Sequence, residues 1–203
     1  MKRTKKEAEK TRQAIIDAGM KVFSTNGLEA SRIEDIAKAA GVTRGAFYHH
    51  FTNKLELYAH LLQIRAEYYR QTIRKCFDPE LEPLERIRTY IVDVFKLFDT
   101  DSKFRAVSEM IYFKSGKEEQ LKEITSRDEL LYQIPTGIFI ETLDAAKEKS
   151  EIRKDCHSEF MLVSIFMFIQ GAIAFSMLNK GSFFLKENAD KIVDTFLNGL
   201  TER

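Results

Sequence analysis

The chain has 203 residues, 31% charged and 44% hydrophobic, with nine Gly, three Pro and no Trp. That composition excludes collagen-like, low-complexity and disulfide-scaffold proteins and fits a compact soluble protein of one or two domains. A formal charge of +1 excludes a uniformly basic nucleic-acid binder, yet residues 1–60 hold eleven Lys/Arg against seven Asp/Glu while the remainder holds twenty-one against twenty-four; the positive charge is concentrated at the N-terminal end.

Helical periodicity runs through the chain and strand alternation is nearly absent, so the expected fold class is all-α. Ile15, Ile16, Gly19, Met20, Val22 and Phe23 make one apolar face of a first helix, which Asn26-Gly27 should stop. A second helix is expected to open with a capping box, Ser31 with Glu34, and to turn Ile33, Ile36, Ala37 and Ala40 inward. Gly41 breaks it, and Thr43 then caps a third helix over 44–50. Asn53 with Glu56 repeats the capping arrangement at the start of a long helix reaching about Cys76, with Leu57, Leu61, Ile64 and Tyr68 on one stripe. Pro79 and Pro83 separate it from the next helix, marked by Ile87, Ile91, Val94, Phe95 and Phe98. A shorter helix is expected over 104–113, then a long helical stretch kinked at Pro135 and ending near Lys149, and two more helices near 157–179 and 187–201.

The helix, glycine turn and short helix over 31–50 have the spacing of a DNA-binding helix-turn-helix. Gly41 supplies the turn, and Ala37, Ala39 and Ala40 let two helices cross closely. The second helix then offers Thr43, Arg44, Gly45, Tyr48 and His49. Arg44 can reach a guanine edge with its two-pronged fork, Gly45 leaves room for close approach, and Thr43, Tyr48 and Lys54 can donate to phosphates. The basic lead-in with Lys2, Arg3, Lys5, Lys6, Lys10 and Arg12 reads either as an arm or extended first helix lying along DNA, or as a solubilising tail. The expected organisation is a helix-turn-helix DNA-binding domain over 1–52, with its basic arm at 1–12, and a helical ligand-binding and dimerisation domain over 53–203.

Residues 11–58 resemble the DNA-binding domain of the TetR/AcrR transcriptional regulators. The resemblance is carried by the apolar pattern with Phe23, Gly27, Ile33-x-x-Ile36-Ala37, Gly41-Val42, Tyr48-x-x-Phe51 and Lys54. It implies that Thr43, Arg44, Tyr48, His49 and Lys54 contact double-stranded operator DNA and that Phe51 anchors the recognition helix. The lead-in is similar to that of efflux-pump repressors of the AcrR group, although His49 stands where those often carry Trp.

The stretch Phe160 to Leu178 has no charged residue and is long enough for a membrane helix, but a helix apolar on all sides also suits a buried core or a helix interface. Ser164, Gly171 and Ala174 give small positions for a partner helix, and Ala189, Ile192, Val193, Phe196 and Leu200 line the last helix. In TetR relatives the last two large helices form the dimer interface, so a homodimer through 157–179 and 187–201, with no membrane partner, is the expectation.

Sixteen Phe and seven Tyr are a heavy aromatic load. Any helical core needs such residues; the resemblance places a set of them around an effector cavity, namely Ile64, Tyr68, Phe95, Phe98, Phe104, Met110, Tyr112, Phe113, Tyr132, Phe139, Phe166, Met167 and Gln170. Glu67, Asp128 and Gln170 are candidate orienting groups. The implied effector is a small apolar or amphipathic molecule.

No phosphate loop, HExxH, GxSxG or CxxC motif is present, and His49-His50 diverge on a helix, so neither an enzyme nor a bound metal or cofactor is expected. Cys76 and Cys156 lie too far apart in sequence for a disulfide framework and point to a reducing compartment. Charged residues at the start, with no apolar stretch of signal-peptide length, fit a cytoplasmic protein. The expected function is a ligand-responsive regulator, in the main a repressor, released from a pseudo-palindromic operator by its effector; the alternative is a TetR-like DNA-associated protein with no small-molecule ligand.

Overall fold

The computed structural model describes residues 5–114, 136–179 and 181–201, the first stretch with side chains as far as Ile111. The described residues form nine helices and no strand: α1 (Lys5–Ala30), α2 (Ile33–Ala39), α3 (Arg44–Tyr48), α4 (Lys54–Cys76), α5 (Pro83–Thr100), α6 (Ser102–Lys114), α7 (Thr136–Glu148), α8 (Ser158–Leu178) and α9 (Leu185–Leu197). The helices fall into two compact units. One holds α1 to α3, α4 as far as Ala66, and α6 from Arg105; the other holds α4 from Glu67, α5, the start of α6, and α7 to α9. The stretch 116–135, with its expected kink at Pro135, lies outside the described residues.

In the first unit, α1 breaks at Gly27, whose φ of 78° and ψ of 169° lie in a region essentially reserved for glycine. The expected capping box at Ser31 does not form: the N-cap of α2 is Arg32, and the Ser31 hydroxyl donates instead to the Gly27 carbonyl, closing the turn that the break creates. Gly41 ends α2 with a φ of 67°; the Val42 N–H bonds to Ala37 O at 2.9 Å and the Gly41 N–H to Lys38 O at 3.1 Å, the paired bonds of a Schellman cap. Thr43 caps α3 as expected, accepting from the Ala46 N–H at 3.1 Å, though α3 ends at Tyr48 rather than His50. At α4 the Asn53 side chain accepts from the Glu56 N–H at 2.8 Å, while the Glu56 carboxylate turns back to the Thr52 N–H and hydroxyl at 2.6 and 2.7 Å. Those bonds hold the Glu56 carboxyl below the usual range.

The core of this unit is Ile15, Ile16, Phe23, Leu28, Ile36, Phe47, Phe51, Leu57, Tyr58 and Leu61. Gly19 lets α1 approach α4 closely, since a Cβ there would lie 2.6 Å from Leu57 Cδ2. Phe23 meets Tyr58 edge to face at 5.6 Å, and burial pushes the Tyr58 phenol up to about 12. Val107 and Met110 of α6 complete the cluster, with Ile64 packed against it. The core thus runs past residue 52 into the first part of α4, because a three-helix head leaves the apolar face of α1 uncovered without Leu57, Tyr58 and Leu61.

In the second unit α5 is central, burying Ile87, Tyr90, Ile91, Val94, Phe95 and Phe98 and packing on α7, α8 and α9. Polar ties fix its ends: the Leu84 N–H bonds to the Glu151 carboxylate at 2.8 Å, and the Asp99 carboxylate accepts from the Lys186 N–H at 2.8 Å at the start of α9. Arg88 reaches across to α9, 2.6 Å from Asp194 and 2.9 Å from Asp190. Helix α9 buries Leu185, Ala189, Val193 and Leu197; of the expected face, Phe196 is half-buried by stacking on Phe168 of the same chain at 4.1 Å and 5°. Helix α8 is long and apolar enough to cross a membrane by length and composition, yet it buries Met161, Leu162, Ile165, Ile169, Ile173 and Met177 inside this unit.

Candidate functional site

The outer face of α3 gathers Thr43, Arg44, Gly45, Tyr48 and His49, all exposed, over Phe47, which is completely buried and packs on Phe51 at 6.0 Å. One aromatic anchor therefore commits the inner face of a five-residue helix and leaves every other residue type free to be short or polar. The Arg44 guanidinium lies 2.8 Å from Glu34 of α2, donates to the Tyr48 hydroxyl at 3.2 Å and sits 5.5 Å from the Tyr48 ring centre. Both partners are exposed, so the pair is easily exchanged for another acceptor. Sequence reasoning missed Glu34 in this part, because the pairing spans the turn and depends on how α2 and α3 cross. Gly45 is a different case from Gly41: among the described residues a Cβ there would meet only Thr43 Oγ1, at 3.9 Å, so none of them calls for glycine, although glycine in a helix costs about 1 kcal/mol relative to alanine. The open space lies on the exposed face of α3.

The basic lead-in is helical from Lys5, so Lys5, Lys6 and Lys10 are exposed side chains on the first turns of α1, the extended-helix version of the expected arm; Lys2 and Arg3 lie outside the described residues. Arg12 is not part of a free arm. Its guanidinium stands 5.1 Å from the Phe51 ring centre and 3.4 and 3.5 Å from the two ring nitrogens of His60. Burial, and then the Arg12 charge, hold the His60 imidazole below its ordinary value. Lys54, expected at a phosphate, has its ammonium on three carbonyls of its own chain: Leu28 and Glu29 at 2.8 Å and Ser31 at 3.1 Å.

The structure divides the residues expected around an effector. Ile64 and Met110 belong to the core of the first unit, because α6 returns to it. In the second unit Phe98 and Phe104 are buried, with Phe104 edge-on to Tyr68 and Tyr69 at 5.5 and 5.4 Å. Phe139 is enclosed by Phe77 at 4.7 Å, Tyr90 at 4.9 Å and Phe166 at 5.7 Å. Tyr132 and Asp128, and the side chains of Tyr112 and Phe113, lie outside the described residues. Of the orienting groups, Glu67 is engaged by Arg70, Gln71 and Arg74, while the Gln170 side-chain oxygen is buried with no hydrogen-bond partner among the described residues. Tyr68 borders a groove of about 410 Å³ that is more polar than expected, lined also by Thr72, Lys75, Asp93, Lys96 and Leu97. Its Lys75–Asp93 pair is 2.6 Å long, and burial, with Asp93 beside it, pushes the neighbouring Cys76 thiol up to about 12.

Residues 15–61 match the model of the bacterial regulatory proteins of the tetR family, and residues 82–202 match the C-terminal region of the MAATS-type transcriptional repressors. The chain is 32% identical over 202 residues to a probable HTH-type transcriptional regulator, ArpR, of Pseudomonas putida, covering 98% of this chain and 96% of that one. Its fold is similar to that of NalD, the secondary repressor of the MexAB-OprM multidrug efflux pump in Pseudomonas aeruginosa, with a TM-score of 0.81 at 23% identity over 98% of this chain and 99% of that one. It is also similar to SmeT, the repressor of the Stenotrophomonas maltophilia multidrug efflux pump SmeDEF, in complex with triclosan, with a TM-score of 0.77 at 21% identity over 95% of this chain and 92% of that one. The helix-turn-helix of the first unit, the helical second unit and these matches together make the chain a member of the TetR family, a DNA-binding transcriptional repressor with a MAATS-type C-terminal region.

Proposed function

We propose that the chain acts in the cytoplasm as a homodimer that holds a pseudo-palindromic operator through two copies of α3 and releases it when a small apolar or amphipathic effector enters the second unit. The observation that carries this reading is the outer face of α3, where a fully buried Phe47 supports an exposed Thr43, Arg44, Gly45, Tyr48 and His49. Arg44 matches the paired acceptors of guanine, Gly45 admits the DNA backbone, and Thr43, Tyr48 and His49, with Lys5 and Lys6 of α1, reach phosphates and sugars. Dimerisation is supported by α8, which presents Phe160 (66% exposed), Val163 (46%), Met167 (68%), Phe175 (54%) and Leu178 (73%) along one stripe with Ser164 and Gly171. Exposed apolar stripes mark contact surfaces, and two copies paired through this one about a two-fold axis would read inverted half-sites.

The effector reading is supported by the buried Gln170 oxygen, by Tyr68 at the groove and by the triclosan complex of a protein of the same fold. Helix α4 carries Leu57 in the first unit and Tyr68 in the second, so a ligand that shifts α4 shifts α3 with it. Such coupling typically amounts to about 1–3 kcal/mol and is reciprocal between ligand and DNA. The test is to select a binding site from a randomised duplex pool, then follow its release by fluorescence anisotropy while hydrophobic cations, acyl compounds and aromatics are added. Release by at least one class, with linked loss of ligand affinity on DNA, is the expected result. Release by none of them favours a repressor without a small-molecule ligand, a reading that the closed packing of Phe98, Phe104 and Phe139 supports.

A further inference from the structure

Lys54 is the first residue of α4. A cation there sits at the wrong end of the helix, because the N-terminal turn carries partial positive charge and favours anions. What the ammonium touches explains the position. Nζ donates to the carbonyls of Leu28 and Glu29 at 2.8 Å each and of Ser31 at 3.1 Å, which accounts for all three N–H bonds of an ammonium. These carbonyls follow the break at Gly27 and close the end of α1, where otherwise unpaired carbonyls carry partial negative charge. Leu28 and Ser31 are buried, and the Ser31 hydroxyl is itself held by Gly27, so the clamp grips a part of the chain that cannot yield. Of the other contacts between α1 and α4, Leu57 on Gly19 and Tyr58 on Phe23 are apolar and fix no register along the helix axis, and the polar one, Arg12 against His60 at 3.4 and 3.5 Å, lies more than one turn further along α4.

We propose that Lys54 is a positioning residue that clamps the first turn of α4 to the α1–α2 connection, so that a displacement of α4 carries α1, α2 and α3 as one body, and that its ammonium makes no DNA phosphate contact. This rests on the reading of α3 as the helix that enters DNA.

Lys54→Met keeps the aliphatic stem and removes the three donors; Lys54→Arg keeps the charge, but a planar fork cannot converge on three carbonyls arranged about one nitrogen. Full-length variants are compared by amide hydrogen exchange, by thermal unfolding and by the salt dependence of binding to a random-sequence duplex about two helical turns long. In both variants the amides of residues 28–33 should exchange at least about tenfold faster and Tm should fall by about 2–4 °C, a loss of the size expected for one interaction in a domain of this length. The slope of log K on log salt should stay at the wild-type value. A slope shallower by about 0.9 per protomer in Lys54→Met, restored in Lys54→Arg with residues 28–33 still protected, would overturn the proposal in favour of a phosphate contact. No change in exchange would overturn it as well. If Lys54→Met does not fold, exchange in Lys54→Arg alone decides. A wild-type protein that ignores the duplex at low salt removes the DNA reading of α3 and leaves the exchange comparison to judge the clamp.

Discussion

The two units use apolar side chains in opposite ways on the exposed faces of α3 and α8. In the first, Phe47 and Phe51 turn wholly inward, and α3 with its caps shows water hydroxyls, a guanidinium, an imidazole and a bare glycine, the half-exposed Tyr48 ring being its one large apolar group. In the second, α8 buries Met161, Ile165, Ile169 and Ile173 on one side and leaves Phe160, Met167 and Leu178 exposed on the other. A surface that meets phosphates and base edges gains from hydrogen-bond donors and close approach, whereas one that meets a second copy of itself gains from removing apolar area from water. The contrast predicts that damage to the two surfaces will be felt in different measurements.

The largest effect should come from α8. Met167→Glu places a carboxylate at the centre of the exposed stripe, and a charge left unpaired in a dimer interface costs about 3–5 kcal/mol. Light scattering at micromolar concentration should show monomers for the variant and dimers for wild type, whereas Phe196→Glu should disturb the packing on Phe168 within one chain first. A wild-type monomer would break the comparison at its root. Next in size is Phe47→Ala, which empties a fully buried aromatic site and should cost about 3–5 kcal/mol. Chemical unfolding followed by exchange should lose protection in the first unit while α5, α7 and α9 stay protected; uniform loss would mean that the two units melt together.

A smaller change is expected at Arg44. Arg44→Ala should weaken the selected operator roughly 5- to 150-fold and flatten the preference at one base pair, with random duplex much less affected. Glu34→Gln should act in the opposite direction, by less than about tenfold, because Arg44 no longer leaves an ion pair to reach DNA. Equal losses on specific and random DNA for Arg44→Ala would turn the residue into a phosphate contact.

The smallest effect concerns pH. His60 has its folded value lowered, first by burial and then by Arg12, so between the folded and unfolded values the unfolded chain binds more protons. Stability of the first unit is therefore full above about pH 6.5, the ordinary histidine value, and falls as pH drops through it toward the folded value. Urea midpoints at about pH 7.5 and about pH 5.5 should differ for wild type and differ less for His60→Gln. An identical pH dependence in both would place the titrating group elsewhere.

Much of the first unit was readable because its signals act over three to five residues. Thr43 caps α3, Asn53 caps α4, and Gly41 takes the left-handed conformation that ends α2, all within one turn of the chain. Apolar periodicity likewise marked α5, α8 and α9, since a helix that buries one stripe must repeat it. Where two local signals competed the reading failed: Ser31 looked like an N-cap, but the turn forced by Gly27 brought a carbonyl to its hydroxyl.

What the sequence by itself determined is the helical fold, the helix-turn-helix with its exposed Thr43, Arg44, Gly45, Tyr48 and His49, and the apolar character of α8. What only the tertiary structure decided is who meets whom across long stretches of chain. Met110 fills the core of the head, Arg12 lies on Phe51, Lys54 holds the end of α1, Glu34 holds Arg44, and Phe139 is closed in by Phe77, Tyr90 and Phe166. The physical reason is that periodicity gives each helix a face but no partner, because burial is non-directional and any apolar face satisfies any other; the choice between a filled core and a lined cavity rests on packing between elements distant in sequence.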